Sequence, residues 1–173
     1  MDSALTPRGV EQAQRAGCTL REALGDSRDV VLECSPLGRA RATAEIVCRE
    51  LGLPESEVVS QPLLAEVHNG EWQGLTEPEI DARFPGARAE RDRDKWRHAI
   101  PGGESYADAA ERARAWLRAR KPGLRTIAVT HEMLSRTLLG TYAGWGCDQM
   151  LALSHPHGAI FRLLGGEIAR EPG

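Results

Sequence analysis

The chain contains no apolar run of the ~20 residues that a bilayer-spanning helix needs, and no signal-peptide pattern opens at Met1. The expected location is the cytosol. An excess of one charge is also missing: 22 Lys+Arg stand against 25 Asp+Glu, a formal net charge of −3. Nucleic-acid binding takes a clustered surplus of Lys and Arg to neutralise phosphates, so that class of partner is excluded. Cys18, Cys34, Cys48 and Cys147 are widely separated, with no Cys-x-x-Cys pair and no Cys/His cluster of zinc spacing. No metal site is expected, and the thiols are read as reduced and mostly buried. Repeats, linkers and low-complexity tracts are absent as well. What is present, 173 residues of which 41% are hydrophobic, suits one globular domain over residues 1–173. A domain of this size removes roughly two-thirds of its unfolded surface from water, so it needs neither disulfide nor metal to fold.

Thr6-Pro7 supplies a helix cap and a first helical residue, and Val10, Ala13, Gly17, Leu20 and Leu24 then recur at helical spacing until Gly25. Val30-Val31-Leu32, inside 29–34, is the short continuous apolar run of a strand buried on both faces. Ser35-Pro36 ends it, and the spacing of Ala40, Ala44, Val47 and Leu51 predicts a helix over 37–51. A short strand is expected over 57–60 and a surface loop over 63–74. Polar helices follow over 77–84 and 87–97, then a turn at Pro101-Gly102-Gly103 and a helix from the Ser105 cap to about residue 120. Residues 67–104 thus read as a helical excursion away from the sheet. Residues 124–130, around Ile127-Ala128-Val129, predict a second buried strand, with a helix over 131–143 after it. Residues 159–164 and 167–170, joined by Gly165-Gly166, predict a hairpin.

Strands alternating with helices argue for an α/β layered domain with a mostly parallel central sheet flanked by helices, whose ligands sit beyond the carboxyl ends of the strands. Residues 34–39 and 130–132 occupy two such ends, and they carry Arg39 and His131 at helix N-termini, where exposed amides favour an anion. Taken singly, Arg39 fits a polar helix face, His131 a structural position and Glu66 an ordinary loop. The remaining histidines, His68, His98, His155 and His157, do not follow a strand, and His155-Pro156-His157 reads as a turn. Ser35 and Ser105 lack the Gly-x-Ser-x-Gly elbow of a serine hydrolase, and Pro36 directly follows Ser35.

In order along the chain stand Leu5-Thr6-Pro7-Arg8-Gly9, then Ser35-Pro36-Leu37-Gly38-Arg39-Ala40, then Leu64-Ala65-Glu66 with Gly70-Glu71-Trp72-Gln73-Gly74. Pro101-Gly102-Gly103-Glu104-Ser105 and Val129-Thr130-His131 complete the set. This ordered set resembles the histidine phosphatase superfamily, also called phosphoglycerate mutase-like. The resemblance implies a phosphatase or phosphomutase with neither metal nor cofactor, in which a histidine becomes transiently phosphorylated and water releases phosphate. Carried to these positions, it implies that Arg39 and His131 hold the phosphoryl oxygens and that Glu66 moves the proton between leaving group and attacking water. Glu132, where the family commonly has a small residue, puts a carboxylate beside the same phosphate and is counted with its lining, where it either repels phosphate or points outward on its helix. The family's nucleophile lies in an Arg-His-Gly segment at the end of a first strand, and no residues here match it. The expectation is therefore a phosphoglycerate mutase-like sheet without that first strand, and a chain inactive or impaired by itself. Residues 67–100 are short for the lid of the family's mutases, which favours a phosphatase acting on a small phosphate ester. A mutase and a catalytically dead phosphate-binding domain are the alternatives, and family habit suggests a homodimer. Trp72, Trp96 and Tyr106 are read as packing for the excursion rather than as substrate contacts.

Overall fold

A computed structural model describes residues 3–25, 27 and 29–171. The first helix, α1 (Pro7–Leu24), begins where the sequence predicts: the Thr6 side chain accepts from the Gly9 amide and Gly25 ends the helix at φ 58°. The following strand, β1 (Val30–Cys34), leads into α2 (Gly38–Leu51), closed by Gly52 in the left-handed region. A 3-10 turn over Glu55–Glu57 takes the first residue of the expected next strand, and β2 is Val59–Ser60. The excursion contains α3 (Glu77–Arg83) and α4 (Ala87–Arg93). The latter is shorter than its charge pattern suggests. Asp94 leaves the helical region at φ −146°, and its carboxylate accepts from the Arg97 amide, a local bond that competes with continuing the helix.

Ser105 then caps α5 (Tyr106–Arg118), and β3 (Arg125–Val129) is followed by α6 (Glu132–Ala143). The sequence gives no sign of α7 (Cys147–Ala152): six residues are too few for a period, and Met150 alone among them is buried. Met150 covers Gly140 of α6 so closely that a Cβ there would collide with it. The chain ends in an antiparallel hairpin, β4 (Ile160–Leu164) and β5 (Glu167–Glu171), turned by Gly165 and Gly166 with both φ positive, as a primed two-residue turn requires.

The sheet order is β2-β1-β3, all parallel, with Cys34 level with Val129 and with Ser60. One face, with Leu32, Cys34, Ile127 and Val129, packs on α2; the other, with Ala128, packs among Leu64, Ala113, Trp116, Leu134 and Leu138 of the α5 and α6 side. Helices thus flank both faces of an α/β/α arrangement. The two strands differ in burial, however. β1 holds the fully buried Leu32 and Cys34, whereas Thr126–Val129 of β3 are half-buried, because β3 lies at a sheet edge among the described residues and β4 and β5 form a sheet of their own.

Candidate active site

The parallel register brings the chain out of β1 and β3 side by side. The Ser35 amide donates to Val129 O at 2.9 Å, so the strand pairing runs one residue past β1 before Pro36 turns the chain into α2. Leu37, the cap residue of α2, makes no side-chain cap; its own amide instead donates to Ser35 Oγ at 3.3 Å. Arg39 follows in the first turn of α2, half-buried, four residues beyond Ser35.

His131 caps α6 without a side-chain capping bond. Its ring turns toward the neighbouring strand end, with Nε2 2.7 Å from Ser35 Oγ. The amides left open by that choice are met from elsewhere. Met133 and Leu134 donate to the two oxygens of Glu66 at 3.3 and 3.1 Å, and Val67 donates to the same carboxylate at 2.9 Å. A carboxylate suits the positive end of a helix dipole, so Glu66, 65 positions before His131, acts as the distant N-cap of the helix His131 begins. The Thr130 hydroxyl donates to Leu64 O at 2.8 Å and ties the two segments once more.

The loop carrying Glu66 is clamped from behind. Arg112 of α5 donates to both Glu104 oxygens, at 3.0 and 2.8 Å, and to the carbonyls of Leu63 and Ala65, at 2.9 and 3.1 Å. Glu104 also accepts from the His68 amide at 3.0 Å. Both flanks of Glu66 are thereby fixed. The Glu104 end of this clamp belongs to the Pro-Gly-Gly-Glu-Ser run, but Arg112 sits in a polar helix face with nothing in its spacing to mark it. Gly70 and Gly103 allow the two loops to touch: a Cβ on Gly103 would lie 2.6 Å from the Gly70 amide nitrogen.

Glu132 opens α6 but turns along the helix to pair with Arg136, itself mostly buried. The carboxylate read beside the anion position therefore has a cation of its own. Arg136, Arg91, Glu66 and Glu132 all act on Tyr106, whose hydroxyl is pushed above its ordinary value chiefly by burial, with the two arginines opposing. Tyr106 stacks on Trp96 at 6.5 Å, and Arg91 lies 6.0 Å over Trp72. These aromatics do pack the excursion.

His155 Nε2 is 2.6 Å from Ser135 Oγ, and its ring meets Phe161 edge-on, so the His155-Pro156-His157 run is anchored one helical turn from His131. No group of three His, Cys, Asp or Glu among the described residues is placed to hold a metal ion. All four cysteines are free, two of them buried. Burial pushes the Cys34 thiol above its ordinary value, with Arg41 opposing and Glu45 adding to the rise, which disfavours the nucleophilic thiolate one residue from Ser35. The structure therefore joins His131, Glu66 and the previously unassigned Ser35 at one corner of the sheet, with Arg39 in the adjoining helix turn. The imidazole and the guanidinium at this corner are groups of the kind that can meet an oxyanion, while the α6 amides are taken by Glu66.

Among known proteins, the chain is 40% identical over 114 residues to a glucosyl-3-phosphoglycerate phosphatase of Mycolicibacterium vanbaalenii, a match over 65% of this chain and 47% of that protein. It thus spans about half the length of that relative. A 2,3-bisphosphoglycerate-dependent phosphoglycerate mutase of Azorhizobium caulinodans is 32% identical over 143 residues, or 80% of this chain and 68% of the mutase. A solved structure of mycobacterial glucosyl-3-phosphoglycerate phosphatase in complex with VO3 superposes with a TM-score of 0.71 at 28% identity, covering 98% of this chain and 85% of that one. The model of the histidine phosphatase superfamily, branch 1, matches residues 1–167, and the chain belongs to that family.

Proposed function

We propose that the chain carries the phosphoryl-binding and proton-transfer groups of a metal-independent phosphomonoester hydrolase acting on a small phosphorylated metabolite. The observation that supports it most is the meeting of Ser35, His131 and Glu66 at the N-terminus of α6, beside the first turn of α2. A transferring phosphoryl group spreads negative charge over its equatorial oxygens, and catalysis consists mainly of meeting that charge. Arg39 presents a planar fork matched to two such oxygens, and His131 adds a ring donor. Glu66 gives a proton to the leaving oxygen and later takes one from the attacking water, a role that needs a carboxyl held still. The clamp of Arg112 and Glu104 on either side of it serves that need. None of the 173 residues matches the family's Arg-His-Gly segment, so the chain itself is proposed to bind phosphate with little or no turnover. The mutase reading ranks second. It draws on the mutase relative, whereas the short excursion over 67–100 favours hydrolysis.

Thermal unfolding with inorganic phosphate or vanadate tests the reading. At about a hundred times Kd either anion should raise the midpoint by roughly 5–10 °C for a domain of this size. Arg39→Ala should weaken that binding about tenfold to a hundredfold, read against the variant's own unliganded midpoint. A wild-type chain stabilised by neither anion overturns the proposal. Sustained hydrolysis of an aryl phosphate would overturn only the statement on turnover.

A further inference from the structure

Ser35 is fully buried, at 0% exposure, where β1 gives way to α2. Its hydroxyl oxygen has two neighbours: the Leu37 amide at 3.3 Å and His131 Nε2 at 2.7 Å. An amide only donates, so it occupies a lone pair of Oγ and gives the hydroxyl proton nowhere to go. No solvent reaches the residue either. Among the described residues, Nε2 is then the one acceptor for that proton.

We propose that Ser35 is a positioning residue that selects the tautomer of His131: the Ser35 O–H donates to Nε2, and the ring proton resides on Nδ1. The reverse arrangement, Nε2–H donating to Oγ, strands a hydroxyl donor in a place sealed from water. A partner at one imidazole nitrogen dictates where the proton sits on the other, and at Nε2 that partner is the Ser35 hydroxyl. With Ser35 donating to Nε2, the ring carries its donor at Nδ1, on the edge away from Ser35. Within the phosphoryl site proposed above, on which this functional meaning rests, the ring gives an N–H to an oxyanion without placing a second full cation near Arg39. The same burial keeps Ser35 from acting as a nucleophile, although a serine and a histidine 2.7 Å apart invite that reading.

Long-range nitrogen–proton correlation spectra of the isotopically labelled chain near neutral pH read the tautomer directly, with His131 assigned by loss of its signals in His131→Gln. The expected pattern is a protonated Nδ1 and an unprotonated Nε2. An Nε2-protonated ring, an averaged mixture or an imidazolium in the free wild-type chain overturns the proposal. Ser35→Ala should lose the preference and weaken phosphate binding about threefold to tenfold, whereas Ser35→Thr, which keeps the hydroxyl, should retain the wild-type pattern. A preference that survives in folded Ser35→Ala also overturns it, and if that variant fails to fold, the wild-type and Ser35→Thr spectra decide. Phosphate should shift the His131 signals. The expected tautomer with no response to phosphate would sink the phosphoryl-site reading and leave the tautomer assignment standing.

Discussion

A carboxylate in the middle of a buried parallel strand is costly unless both oxygens are met, and Glu33 shows how they are met here. It is 8% exposed; the Trp116 indole donates to one oxygen at 2.6 Å, and Arg120 pairs with the other at 2.8 Å. Arg120 in turn lies 4.3 Å over the Trp116 ring and donates to Trp116 O, so the three side chains fasten the end of α5 to the sheet. Breaking such a pair from one side leaves a charge without its counterion in low dielectric. Arg120→Met should therefore cost about 3 kcal/mol in urea unfolding, and Glu33→Met combined with Arg120→Met should recover most of that loss. A double variant whose loss equals the sum of the two single losses would show that the pair contributes nothing as a pair. None of this is legible in the sequence. Glu33 is one residue inside an apolar run, and the indole that accounts for it lies 83 positions away. Arg39, His131 and Glu66 stand out because each sits in a short motif, whereas Ser35, which opens the motif of Arg39, reads in the sequence as the end of a strand and as a rejected nucleophile, with nothing to tie it to His131.

Helix starts satisfied by their own neighbours carry a capping signal, and starts finished by distant residues do not, although periodicity alone still predicts α6 over 131–143, where it runs Glu132–Ala143. Thr6 with Pro7 marks the start of α1, and Ser105 marks that of α5, because the partners lie within three positions. α6 has no such signal, since its open amides are met by Glu66 from a loop far back in the chain. At α5 the Ser105 hydroxyl accepts from the Asp108 amide at 3.1 Å, while the Asp108 carboxylate accepts the Ser105 amide at 2.9 Å and the Ser105 hydroxyl at 2.7 Å. These bonds, the backbone one first, hold the Asp108 carboxyl below its ordinary value. A carboxyl lowered in the folded state contributes stability that is complete above its unfolded value, near ~3.9, and is lost as pH falls through the folded one. Ser105→Ala should thus cost about 1 kcal/mol at neutral pH. Its deficit should shrink on acidification below about pH 4, where Asp108 no longer favours the folded state in either protein. A deficit independent of pH down to the acid transition would separate the serine cap from the carboxylate.

At the scale of the molecule, the distinction between β1 and β3 is one the hydrophobic pattern alone could not draw. Both runs are apolar, yet β1 is paired on two sides and β3 on one among the described residues. The direction of each β3 amide follows from a single bond. Val129 O accepts from Ser35 N, and in an extended strand a residue's N–H and C=O point to the same side. Val129 and Ile127 thus face β1, while Ala128 and Thr126 face the outer edge. Strand edges that keep their amides open are sites of local exchange and of pairing with other chains. Hydrogen exchange should find Ile127 and Val129 among the slowest amides, with Glu33, and should find Thr126 and Ala128 faster by at least about tenfold, as expected for amides with no sheet partner. The alternation is the diagnostic. Uniform fraying of the strand would speed all four β3 amides together, and uniform slow exchange at monomer concentration would show that the outer edge is covered. Protection of Thr126 and Ala128 that grows with protein concentration would instead mark that edge as the place where two chains pair.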